Sequence, residues 1–124
     1  MSFDWETYVE LAKELSQRSE QNCLRNSISR AYYGVFCICR NLKYLQNYRG
    51  DIHERVINEY RTSKITTEKH IGKLLGDLRR NRNDADYTDS FYVEQSFVKR
   101  VLLKQMRYLI CLIAMPHCKK NTLV

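Results

Sequence analysis

Residues 20–45 read EQNCLRNSISRAYYGVFCICRNLKYL, and the spacing of their apolar residues decides the fold. Leu24, Ile28, Ala31, Val35, Ile38, Leu42 and Leu45 recur alternately four and three residues apart. A helix places such a set on one face, so the spacing predicts a long helix from about Glu20 to Tyr44 that packs lengthwise on another helix. A second stripe, Cys23, Ser27, Arg30, Gly34, Cys37 and Asn41, is mostly small and lets a neighbouring helix come close. Arg30 is its one long charged side chain, which either snorkels to water or points into a shared cleft.

The same periodicity extends to both sides. Trp5, Tyr8, Val9, Ala12 and Leu15 predict a helix from about Asp4 to Gln17, capped by Asp4 or Ser2. After the long helix, Gly50 marks a turn, and Asp51 can cap a short helix from about Ile52 to Arg61 with Val56, Ile57 and Tyr60 inward. A fourth helix is predicted from Thr66 or Thr67 to about Asp84, burying Ile71, Leu74, Leu75 and Leu78. Continuing the series 71, 75, 78 leads to Arg82, so the core stripe ends in a half-buried guanidinium that needs a partner or a ligand. Residues 84–90 read as a polar loop. A fifth helix is expected from about Phe91 to Met115, stopped by Pro116, with Phe91, Val98, Val101, Leu102, Met106, Leu109, Leu112 and Ile113 inward. The expectation is therefore all-α: an up-and-down bundle of about five helices, two of them long. It forms one domain over residues 1–118, with residues 119–124 as a frayed tail.

Composition agrees with this class. In 124 residues there are one Pro and four Gly, too little turn chemistry for a many-stranded sheet. About a quarter of the chain is Leu, Ile, Val or Phe, so the signature of disorder is absent. No apolar run reaches the roughly 18 residues of a membrane span, and the acidic opening does not suit a signal peptide. The expected location is the cytoplasm, with no membrane partner.

The net charge of +7 is unevenly spread. Residues 21–50 carry Arg25, Arg30, Arg40, Lys43 and Arg49 and no acid, and six further bases follow Glu94 without an acid. Such a surface attracts phosphate-rich partners, RNA first among them. The five cysteines, Cys23, Cys37, Cys39, Cys111 and Cys118, form no Cys-x-x-Cys pair. Cys37 and Cys39 fall on nearly opposite sides of a helix, so reduced and mostly buried thiols are expected, with no metal and no cofactor.

Two segments carry a more specific signal: Ser29-Arg30-Ala31-Tyr32-Tyr33-Gly34-Val35-Phe36, and Leu78-Arg79-Arg80-Asn81-Arg82-Asn83-Asp84-Ala85-Asp86-Tyr87. With Phe3-Asp4-Trp5 and His53-x-x-Val56, they resemble the HEPN domains (higher eukaryotes and prokaryotes nucleotide-binding), a likeness that covers about residues 3–114. The resemblance implies a helical bundle that forms a homodimer through its long helices. It further implies an RNA-related role, including metal-independent endoribonuclease activity, in prokaryotic defence or toxin–antitoxin systems. The family's motif is Arg, usually Asn, and a His four to six residues after the Arg. Cleavage by the ribose 2′-hydroxyl needs a proton-transfer group near pH 7, which His supplies, and a fixed cation for the charge on phosphate, which Arg supplies.

This chain departs from the motif at the His. Counting from Arg82, Asn83 matches and Tyr87 stands where His is expected; counting from Arg80, Asn81 matches and the His position is Ala85. A Tyr with its reference pKa near 10 is a far poorer base at pH 7. The resemblance makes Arg82, Asn83 and Tyr87 the candidate catalytic set and Arg30, Arg79 and Arg80 candidate RNA-phosphate ligands. His53, Asp86 and Tyr33 are further candidates. His70 lies three helical turns before Arg82, about 18 Å by rise, too far to join it. Two roles are open to Arg82: a phosphate contact, or an ion pair with Asp84, Asp86 or Glu14 that only holds the bundle together. The alternative to an enzyme is a non-catalytic HEPN module that binds RNA or a nucleotide, or that partners a minimal nucleotidyltransferase with Tyr87 as the modified residue.

Overall fold

The computed structural model describes residues 3–114, excepting the side chains of 108 and 110–114. The expected Ser2 cap, the stop at Pro116, His117, Cys118 and the tail lie outside the described residues, as do the side chains of Cys111, Leu112 and Ile113. Five helices form: α1 (Glu6–Ser16), α2 (Gln21–Leu42), α3 (Ile52–Arg61), α4 (Thr66–Tyr87) and α5 (Gln95–Ala114). Among the described residues there is no strand, and the fold is an all-α helical bundle. No helix among them is long and apolar enough to cross a membrane.

The small stripe of α2 receives α1, as its composition predicts. The Ser27 hydroxyl donates to the Ala12 carbonyl at 2.6 Å. A Cβ at Gly34 would lie 2.9 Å from Val9 Cγ2 and 3.2 Å from the Val9 nitrogen. These pairings run in opposite directions along the chain, so α1 and α2 are antiparallel. Contacts of Ser29 with Asp86 and of Lys43 with Glu68 make α4 antiparallel to α2 as well. Gln105, buried on α5, donates from Nε2 to the Ala31 carbonyl at 2.8 Å, and Gln21 binds Val93, so α5 runs with α2. Four helices thus alternate in direction.

Helix α3 is the exception. The Tyr32 hydroxyl meets His53, and the Tyr60 hydroxyl donates to the Cys39 carbonyl at 2.9 Å, so α3 lies beside α2 and runs parallel to it. The connection over residues 43–51 must therefore carry the chain back along α2. Helix α2 ends in the paired bonds of a Schellman turn, Leu45 N–H to the Arg40 carbonyl and Tyr44 N–H to the Asn41 carbonyl, with Tyr44 left-handed at φ 57°. Gly50, at φ 119°, takes a conformation that side chains disfavour, and the Asp51 carboxylate then caps α3 by accepting from the Glu54 N–H at 3.1 Å.

Two helix ends differ from the sequence expectation. Helix α4 continues to Tyr87, three residues beyond Asp84, and α5 begins at Gln95, four residues after Phe91. The reason is tertiary. The Arg25 guanidinium donates to the carbonyls of Ala85, Thr88, Asp89 and Phe91, and Gln21 both donates to and accepts from the Val93 backbone. These bonds hold residues 88–94 in non-helical form while Val93 fills the apolar cluster around Leu24, Ile28 and Leu102. Cys37 and Cys39 are buried and Cys23 is half-buried. Burial pushes the Cys37 thiol up.

Candidate functional site

The 71, 75, 78 series of α4 does end in a buried arginine. Ile71, Leu75 and Leu78 line the core, and Arg82 follows them at 7% exposure. Its guanidinium carbon lies 5.2 Å from the Tyr32 ring centroid and 5.1 Å from that of Tyr33. Its Nε has no hydrogen-bond partner, and among the described residues no carboxylate pairs with it. Asp86, one of the acids the sequence offers as its partner, instead accepts from the Ser29 hydroxyl at 3.2 Å. A buried donor without a partner is costly, so this arginine is held by aromatic faces rather than by an ion pair.

Tyr32 joins this cation to an imidazole. Its hydroxyl and His53 Nδ1 are 2.6 Å apart, and the two rings stack with centroids 5.7 Å apart. Phe36 covers His53 closely, at 4.4 Å between centroids, and Tyr33 stands edge-on to it at 6.2 Å. Burial lowers the pKa of His53, and the Arg79 and Arg82 charges lower it further against the weaker pull of Asp51. The imidazole is therefore neutral at pH 7. Burial likewise pushes the Tyr32 phenol well above its ordinary value, with Arg79 and Arg82 opposing, so it stays a neutral hydroxyl.

Arg30 flanks the same ring from the side of α1. Its guanidinium carbon is 5.7 Å from the Tyr33 centroid and 5.2 Å from that of Tyr8. It donates to the Ser29 hydroxyl at 3.1 Å, and its buried Nε, like that of Arg82, has no partner. Of the two fates open to Arg30, the structure takes the inward one, over half-buried Tyr33. Arg79 stands at the edge of the cluster, 4.0 Å from Asp51.

The remaining candidates lie apart from this cluster. Asn83 is exposed and faces the groove between α3 and α4 with Arg79 and Arg80. Arg80 pairs with Asp77 one turn earlier. Tyr87, the last residue of α4, is 76% exposed. Five residues on from Arg82, it points about 140° away around the helix. Arg82, His53, Tyr33 and Arg30 are thus brought together, with Arg79 beside them, whereas Asn83, Arg80 and Tyr87 face other directions. Among the described residues no three His, Cys, Asp or Glu side chains converge as metal ligands would. No family model, curated protein or solved structure matches the chain.

Tyr32 is not among the candidates read from sequence. Its neighbour in the Tyr32-Tyr33 pair was the only available signal. The basic segment 21–50 also resolves differently in three dimensions. Arg25 binds loop carbonyls, Lys43 the buried Glu68, and Arg40 Trp5 and Asn41, while Arg49 is exposed; Arg30 is the member that joins the site.

Proposed function

We propose that this chain is a HEPN-type protein that holds RNA phosphate at Arg82 and cleaves the strand without a metal, as a homodimer in a prokaryotic defence or toxin–antitoxin setting. The observation that supports the reading is the buried Arg82 guanidinium, its Nε without a hydrogen-bond partner, joined through Tyr32 to a neutral imidazole. A site with a fixed cation and a proton-transfer group has the two parts that 2′-hydroxyl attack requires. In this reading His53, from α3, replaces the His missing from the motif on α4.

The roles follow from the geometry. With Nδ1–H donated to the Tyr32 oxygen, His53 Nε2 accepts the proton of a ribose 2′-hydroxyl. The 2′-oxygen forms a bond to phosphorus as the bond to the 5′-oxygen breaks, and the leaving 5′-oxygen takes up a proton from water. Arg82, with Arg30 and Arg79, offsets the negative charge that builds on the phosphoryl oxygens. The products are a 2′,3′-cyclic phosphate and a 5′-hydroxyl.

The test is cleavage of end-labelled, mixed-sequence RNA in EDTA by wild type, Arg82→Ala and His53→Gln. The expected result is cleavage by wild type, slowed about 100-fold or more in each variant. No cleavage by the folded wild-type protein would overturn the enzymatic reading. A second reading then stands on the exposure of Tyr87: a non-catalytic module beside a minimal nucleotidyltransferase, with Tyr87 open to modification. A mass shift confined to Tyr87 on co-expression with that enzyme is its test.

A further inference from the structure

Beside the Arg82 cluster, the groove between α3 and α4 is lined by three arginines, of which the chemistry above uses only Arg79. Its volume is about 310 Å³, and Arg61, Arg79, Arg80, Asn58 and Asn83 line it with Glu54 as its acid. Two glycines of α4 let α3 approach closely here, and Gly76 lines the groove. A Cβ at Gly72 would come within 2.9 Å of Arg61 Cα, and one at Gly76 would run into the Arg61 guanidinium. The end of α3 therefore lies directly on α4, and Arg61 lays its charge across the place where a side chain would stand. Among the described residues Arg61 has no carboxylate partner. Arg79 belongs to both places: it lines the groove, and its charge is felt at His53.

We propose that this groove is a second phosphate subsite, which takes the backbone of single-stranded RNA one or two nucleotides away from the phosphate held at Arg82. The inference rests on the RNA reading above and specifies its substrate: a strand with several consecutive phosphates. Three guanidinium groups suit phosphate oxygens, and the Asn58 and Asn83 amides can reach sugar oxygens. A groove built this way tracks a backbone rather than reading a sequence.

Fluorescence anisotropy with 2′-O-methyl RNA, which cannot undergo 2′-hydroxyl attack, tests this directly. The probes are a dinucleotide and a strand of about 12 nucleotides, within the usual span of a single-strand site. Arg61→Ala should raise the Kd of the long strand about fivefold and reduce its log–log salt slope by about 0.7, the value of one phosphate contact on a single strand. The dinucleotide Kd should be unchanged. Gly76→Ala, which displaces the same guanidinium, should act in the same direction, and circular dichroism checks that both variants fold. Equal long-strand binding by wild type and Arg61→Ala, with loss in Arg82→Ala, would overturn the subsite and leave the RNA reading intact. Equal weakening of both probes by Arg61→Ala would also overturn it. Failure of the wild type to bind either probe would overturn both.

Discussion

Replacing Arg82 with Met should make this protein more stable while weakening the proposed hold on phosphate. Arg82 is 7% exposed and its Nε has no partner. Leaving a buried donor unsatisfied costs about 1–3 kcal/mol, and removing the guanidinium recovers that. Against it stand two lost cation–π contacts, to Tyr32 and Tyr33, at about 0.5–1 kcal/mol each for a site at the margin of the core. Met preserves the apolar stem, and its sulfur gains roughly 0.3–1.5 kcal/mol against the same rings. The balance is a stabilisation of about 1 kcal/mol, or a rise in Tm of about 3–4 °C for a domain of this size. Thermal denaturation followed by circular dichroism, with urea midpoints as a second measure, reads it. A fall in Tm of the same size would refute the reasoning, since it would make the guanidinium a structural member of the core rather than a group kept for a ligand. Stability gained as binding is lost is the pattern of a functional residue held against the preference of the fold.

Other outcomes follow from particular contacts. Because burial and two arginines lower the pKa of His53 below 6.5, the unfolded chain binds a proton that the folded chain refuses as pH drops. The stability contributed by the neutral ring is complete above pH 6.5 and is lost as pH falls from there toward the folded-state value. Urea unfolding of His53→Gln should show a shallower loss over that window than wild type. Lys43→Met strips the ammonium from Glu68, which is 2% exposed and bound at 2.9 and 3.1 Å, and should cost about 3 kcal/mol. The double variant with Glu68→Gln should recover much of that loss, read by the same denaturation. Gly34→Val places methyl groups against Val9 where a bare Cβ is already too near, so it should destabilise by about 2 kcal/mol or more and loosen α1 in hydrogen exchange.

What the sequence disclosed and what it withheld divide along one physical line. The α2 seam, the close approach of α1 and the burial of Arg82 all follow from spacing within a single helix, so each was legible. The end of α4 and the start of α5 were misjudged because Arg25 and Gln21, some 60–70 residues away, decide them through bonds to carbonyls. His53 could be given only as an outlying candidate, because its place depends on the direction of α3 relative to α2, which periodicity does not encode. Tyr32 looked like ordinary core, and by burial it is; its hydroxyl gives it the second role. Gly72 and Gly76, four apart on α4, were a readable sign that another backbone lies there. That sign would have led to Arg61, whose charge alone says nothing of where it goes.

The position of His53 therefore raises the question of what fixes α3, the turn that reverses the chain or the packing that follows it. Gly50→Ala separates the two. At φ 119° an alanine is strained by about 1–3 kcal/mol, and its Cβ would also lie 3.3 Å from the Tyr48 ring. Helix α3 is otherwise held by Val56, Ile57 and Tyr60 in the core, by the Tyr60 hydroxyl on Cys39, and by its last turn lying on Gly72. Those contacts outnumber anything the loop contributes, so the loop should give way first. Gly50→Ala should lower Tm, while NMR titration still finds the His53 pKa below 6.5 because burial and both arginines are unchanged. A pKa that returns to 6.5 would show that the turn sets the register of α3, and that the join between Arg82 and the imidazole is made by the loop rather than by the core.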